Sequence, residues 1–180
     1  MTGSITRGAT SQLADGTAAG SWVLDPAGST AEFRVRHFWG AITVRGTLGP
    51  MAGEAAVSPD GTVTGRISFD ARSLDTGHKQ RDKHLRSADF FDSGKHADIT
   101  FTADGIRPAG QGVAVAGKLT VRGRTQPLSF GAAASIRDDG EIWLDADVRV
   151  NRADFGLTWN QLGMVSMTSS LAIHAVFTRQ

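Results

Sequence analysis

The strongest constraint on this chain is a period-two alternation of apolar and polar residues that recurs from Trp22 almost to the C-terminus. Successive side chains of a strand point to opposite faces, so each run of this kind buries one face and wets the other. Ala31, Phe33, Val35 and His37 share one face, with Glu32, Arg34 and Arg36 on the other. Val63, Gly65, Ile67 and Phe69 form a second inward set, and Ile99, Phe101 and Ala103 a third. The pattern continues through Val113–Val121 and Leu128–Ala132, with Val115, Leu119 and Phe130 inward. It ends in Ile142–Val150, with Leu144 inward, and Leu171–Phe177. Trp22–Leu24 and Ile42–Leu48 are shorter candidates.

Turn chemistry separates these runs, as in Asp25-Pro26-Ala27-Gly28, Ser58-Pro59-Asp60-Gly61 and Asp138-Asp139-Gly140. Twenty-two glycines against five prolines suit a chain of many turns. Short alternating strands with turns between them indicate an all-β sandwich or barrel. About eight strands are expected, enough to close a small antiparallel barrel around one ligand. The 180 residues suit a single domain, drawn as 20–180, after a small, polar stretch over 1–19 read as a flexible tail.

Composition excludes several functions. Without cysteine there are no disulfides, thiolate metal sites or Cys nucleophile. A formal net charge of +1 gives no electrostatic case for nucleic acid or a polybasic membrane contact. No run approaches the apolar length of a transmembrane helix, and the N-terminal stretch lacks the apolar core of a secretory signal. A cytoplasmic location is expected.

One segment breaks the alternation. Residues 76–95 are charged and aperiodic, which predicts a short helix over His78–Arg86, capped by Asp75 or Thr76, and then an irregular loop carrying Phe90 and Phe91. His78, His84 and His96 lie there with Asp82, Asp89 and Asp92. His78 and His84 are six apart, whereas two ligands on one helix face want a spacing of four, so a solvated polar turn is the better reading. Asp145 and Asp147 fall on an outer face, and no Gly-x-Ser-x-Gly elbow occurs. No catalytic constellation emerges, and neither an enzyme nor a metal site is expected. His37 is different, because it continues an inward face: it is either a satisfied buried histidine or a polar anchor for a ligand head group. The inward phenylalanines and small residues serve equally a filled core and an apolar cavity, and periodicity leaves both open.

Trp22-Val-Leu-Asp25-Pro26, Ser29, Phe33-x-Val35-x-His37 and Gly46 resemble the opening of the YceI-like family of polyisoprenoid-binding, lipocalin-like proteins. So does the middle: Ser73-Leu-Asp-Thr-Gly77, then Arg81-Asp82-x-His84-Leu85-Arg86-Ser87-x-Asp89-Phe90-Phe91-Asp92. The likeness continues with Ile99-Thr-Phe101, with Gly117-x-Leu119-Thr120-Val121-x-Gly123-x-Thr125-x-Pro127-Leu128, and with Arg152-x-Asp154-Phe155-Gly156-Leu157. It runs from about Trp22 to the C-terminus. The resemblance implies an extended antiparallel barrel with an amphiphilic polyisoprenoid, of quinone-tail or prenyl-diphosphate type, in an apolar tunnel. It implies that the loop histidines are architectural. Many members of the family are exported, and this chain differs from them in its start.

On this reading Phe33, Val35, Ile67 and Phe69 line one continuous cavity together with Phe101, Leu119, Phe130 and Leu144, and His37 stands towards one end. The lipid is the expected partner, with no cofactor beyond it, no nucleic acid and no stable membrane insertion. A homodimer through Trp39, Trp159 or Met164 is compatible with the sequence. Two other readings stay open: an enzyme acting on a prenyl lipid through His37 or the Arg81–Asp82–His84 group, and a structural, stress-related protein with a filled barrel.

Overall fold

Among the described residues ten strands join in one antiparallel sheet, and eight of them close into a barrel. They are β1 (Gly20–Leu24), β2 (Thr30–His37), β3 (Ile42–Thr47), β4 (Met51–Val57) and β5 (Val63–Asp70), then helix α1 (Lys79–Arg86). After the helix come β6 (Asp98–Ala109), β7 (Gly112–Val121), β8 (Arg124–Ile136), β9 (Ile142–Asn151) and β10 (Val165–Arg179). The structure, a computed structural model, describes residues 11, 16–49 and 51–180. Most of the expected tail, 1–10 and 12–15, lies outside the described residues. Residues 16–19, assigned to the same tail, are held against the barrel: Ala18 is buried, and its carbonyl accepts the Trp22 indole N–H at 3.0 Å.

The ring runs β1-β4-β5-β6-β7-β8-β9-β10 and closes where Trp22–Leu24 pair with Phe177–Arg179. β10, the longest strand, serves two neighbours on that side: its C-terminal end pairs β1, while Val165–His174 pair β2. β2 then carries β3, so the pair extends the wall beyond the ring and lengthens the barrel at one end. The free side of β3 meets the loop after β5 through Thr47 and Asp75, which exchange backbone hydrogen bonds of 2.8 and 3.1 Å.

The inward phase follows the alternation, since a one-residue slip would turn every apolar side chain to water. β4 was not anticipated. Its sequence MAGEAAV is poor in the β-branched and aromatic residues that mark strands, yet Met51 and Val57 are buried. Gly53 and Ala55 leave room there, and Trp22 stands directly across from Ala55. β8 also begins earlier than expected, at Arg124, and passes through Pro127. Pro127 pairs with β7, while β8 meets β9 only over Ala132–Ile136, so the missing N–H interrupts no ladder.

A cavity in two chambers and its polar mouth

Two glycines make room for the rings that line the interior. Gly46 of β3 lies directly across from Phe33 of β2, and a Cβ at Gly46 would collide with the Phe33 ring and with the Asp75 carbonyl, 2.7 Å away. Gly117 of β7 does the same for Phe101, whose ring tip would stand 2.8 Å from an added Cβ. Phe101 in turn meets Phe130, ring centroids 5.4 Å apart and tilted by 53°.

The interior is a pair of adjoining chambers. The inner one, within the closed ring, has a volume of about 130 Å³ and is bordered by Ile67, Phe101, Phe130 and Leu144. The outer one, in the end lengthened by β2 and β3, measures about 550 Å³ and is bordered by Phe33, Val35 and His37. Phe69, Leu119, Val150 and Leu171 border both and form the waist between them. All nine residues selected from the sequence therefore border the interior, but in two chambers instead of one uniform bore. The Phe101–Phe130 pair belongs to the inner, smaller chamber.

The outer chamber ends in polar groups. α1 presents Gln80, Arg81 and His84 to it, β2 contributes His37, and the segment after β9 adds Arg152 and Gln161. No carboxylate lines it among the described residues. Burial pushes the His37 imidazole below its ordinary pKa, and the charges of Arg81 and Arg152 push it further in the same direction. At neutral pH His37 is thus an uncharged imidazole beside two guanidinium groups.

Arg152 is the residue that sequence reasoning passed over, apart from its place in the motif. It is 3% exposed. Its Nε donates to the Ser166 carbonyl at 2.9 Å, and its Nη1 donates to those of Leu157 at 2.5 Å and Trp159 at 2.9 Å. These bonds gather the segment 157–166 around one guanidinium. The register between β10 and β2 breaks between Val165 and Ser169, and the Ser166 carbonyl that Arg152 bonds lies inside that break. Charged residues without an ion pair are seldom buried, and here carbonyl dipoles take the place of the counter-ion.

α1 begins one residue later than predicted, and its cap is His78, whose Nδ1 accepts from the Arg81 N–H at 3.3 Å. Asp75 and Thr76 are engaged elsewhere. Asp75 caps its own turn by accepting from the Gly77 N–H at 2.7 Å. Thr76 bridges helix residues: Asp82, 6% exposed, accepts from its N–H at 3.0 Å and its hydroxyl at 2.5 Å, and Arg81 Nε donates to Thr76 Oγ1 at 2.7 Å. Burial raises the Asp82 carboxyl, but the Thr76 donors with Arg86 and Arg81 outweigh it and hold the group below its ordinary value. His84 borders the outer chamber with its ring edge-on to Trp159, centroids 4.5 Å apart. His96 packs by Gly123, so the three loop histidines have separate duties. Among the described residues no group of three His, Asp or Glu side chains could hold a metal ion. Asp145 and Asp147 are exposed on the outer face, where Asp145 Oδ1 meets His174 Nδ1 at 2.6 Å.

Residues 22–177 match the YceI-like domain. The chain belongs to the YceI-like family. A UPF0312 protein of Serratia proteamaculans is 31% identical over 182 residues, covering 94% of this chain and 92% of the relative. A UPF0312 protein of Vibrio cholerae is 35% identical over 119 residues, and that match spans 62% of the relative's length. The fold is shared with BcnA of Burkholderia cenocepacia, at a TM-score of 0.78 and 20% identity over 86% of this chain and 99% of that one. It is shared also with a polyisoprenoid binding domain from Saccharophagus degradans, at 0.71 and 14% identity over 88% and 98%. Within this YceI-like barrel, the Arg81–Ser87 motif builds the helix and its Thr76 brace, and the Arg152–Leu157 motif anchors the segment across the mouth.

Proposed function

We propose that this YceI-like protein binds and carries an amphiphilic polyisoprenoid, tail towards the inner chamber and head group among His37, Arg81 and Arg152. One observation carries the reading: an apolar chamber of about 550 Å³ that ends in cationic and neutral hydrogen-bond donors with no carboxylate among the described residues. A volume of several hundred cubic ångströms is that of a ligand site, which argues against a filled, purely structural barrel. Each methylene moved from water into such a chamber contributes about 0.8 kcal/mol, so a tail of a few isoprene units offsets its own immobilisation. The shared fold with the polyisoprenoid binding domain of Saccharophagus degradans supports the ligand class. The two guanidinium groups favour an anionic head, of prenyl-diphosphate type, over a neutral quinone ring. Reversible binding needs no catalytic group.

The test is native mass spectrometry of the purified protein, with extraction and identification of co-purifying lipid, followed by uptake of farnesyl diphosphate and farnesol. The expected result is a one-to-one complex that prefers the diphosphate. Uptake of neither compound would sink the carrier reading, and turnover of the diphosphate would replace it with an enzyme.

A further inference from the structure

Among the described residues the large apolar side chains left most exposed gather at one place. Trp39 and Leu162 are each 81% exposed, and Phe38, Ile42 and Trp159 are also in water. Phe38 and Trp159 border the outer chamber as well. The backbone explains the gathering: His37 pairs with Ile42 on one side and with Val165 on the other, so the turns at 38–40 and 161–163 flank the same mouth. Phe38, Trp39 and Leu162 take left-handed backbone, at φ 49°, 53° and 55°, in the two turns that hold them there.

The charge of this rim is also uneven. Segments 36–43, 79–84 and 157–165 carry Arg36, Lys79, Arg81 and Lys83 against one carboxylate, Asp82, which is buried. Lys79 and Lys83 are exposed on the helical row beside Gln80 and His84, which face the chamber. A whole-chain charge of +1 conceals this local excess.

We infer that the mouth docks reversibly on an anionic lipid bilayer, with Trp39 and Leu162 entering the headgroup region and Lys79 and Lys83 meeting lipid phosphates. This rests on the reading of the barrel as a lipid carrier, since it places the chamber's opening against the phase from which such a ligand comes. Tryptophan with neighbouring aliphatics and cations suits that boundary, where one end is apolar and the other wet. A two-fold dimer through the same rim would set each copy's cations against themselves, so a second copy is the poorer occupant.

The test compares the full chain with Trp39→Ser/Leu162→Ser and Lys79→Glu/Lys83→Glu, at positions that do not themselves line the chamber. Co-sedimentation uses phosphatidylcholine vesicles with and without phosphatidylglycerol, at low and high salt. The wild type should bind the anionic vesicles, with a blue shift of tryptophan fluorescence, and weaken in salt. Each double variant should lose about tenfold or more of that binding, while farnesyl diphosphate added from solution is taken up as by wild type. Wild type that ignores anionic vesicles, or a Trp39→Ser/Leu162→Ser protein that binds them equally, overturns the docking proposal even if uptake is normal. Light scattering that shows a dimer dissolved by the same substitutions, without vesicle binding, assigns the rim to self-association instead. Docking without uptake by the wild type would remove the carrier reading and leave the docking surface standing.

Discussion

Asp82 and His37 show how single groups tie the mouth to pH. Asp82 sits below its ordinary pKa once its Thr76 bonds form. Its contribution is therefore complete above the unfolded value of about 4 and is lost as pH falls through the lower folded value. Asp82→Asn keeps the shape but removes the charge that Thr76 and the arginines meet. It should lower stability by about 1–3 kcal/mol in urea unfolding at neutral pH, with little change in ligand affinity where the protein is folded. His37 is also depressed, so the folded state resists a proton that the unfolded chain takes up. Its contribution is complete above about pH 6.5 and declines below it, well before that of Asp82. An anion placed beside it reverses the sign of the local field. Farnesyl diphosphate should raise the His37 pKa in an NMR titration and farnesol should not; equal shifts would remove the head group from this mouth.

At the scale of elements, the instructive part is the segment 157–166, which has no helix or ladder of its own to hold most of it. Arg152 fixes it by donating to the Leu157 and Trp159 carbonyls of the segment and to the Ser166 carbonyl inside the β10–β2 register break, while the Asn160 amide brackets Val165. Only a planar fork reaches several carbonyls at once, so Lys should not substitute. Arg152→Lys should cost about 2 kcal/mol or more through buried carbonyls left unpaired, measured by thermal unfolding. It should also quicken proteolysis within 157–166, and wild-type stability with wild-type proteolysis would show that the segment is held by other contacts. The β2–β3 pair is the second such element. Its close approach depends on Gly46 facing Phe33, so the aromatic lining there and the absence of a side chain across from it are one feature.

Taken whole, the molecule is a ring of eight strands with a wider annex, and if it carries a prenyl lipid as proposed, its two chambers select by tail length. A short prenyl chain needs the outer chamber alone, whereas a long one must pass the waist at Phe69 and Leu119 and displace free volume near Phe101. Phe101→Trp should therefore weaken long-chain uptake and spare farnesyl compounds, at a strain of about 1–3 kcal/mol. Equal loss for both lengths would place the tail elsewhere. The packed body also reaches into the nominal tail. Deletion through residue 19 should lower the melting temperature by several degrees, because it removes Ala18 from beneath Trp22 and the Ala19 carbonyl from Arg179.

Much of this was legible in the sequence, for a definite reason. Strand identity and inward phase depend on neighbours two residues apart, so Phe33, Ile67, Phe101 and Leu144 could each be oriented from their own strand. The helix at 79–86 was legible because the alternation stops there, while its cap was not, since Thr76 was already committed to Asp82 and Arg81 from the other side of a turn. β4 stayed hidden because Ala and Gly carry no strand signal and are chosen there by what lies across them. The division of the interior, the role of Arg152 and the cationic, apolar rim depend on contacts between segments far apart in the chain. Residues 36–43, 79–84 and 157–165 meet only when β10 bonds β2 beyond the ring. That meeting is set by strand length and register around the whole barrel, and no local pattern contains it.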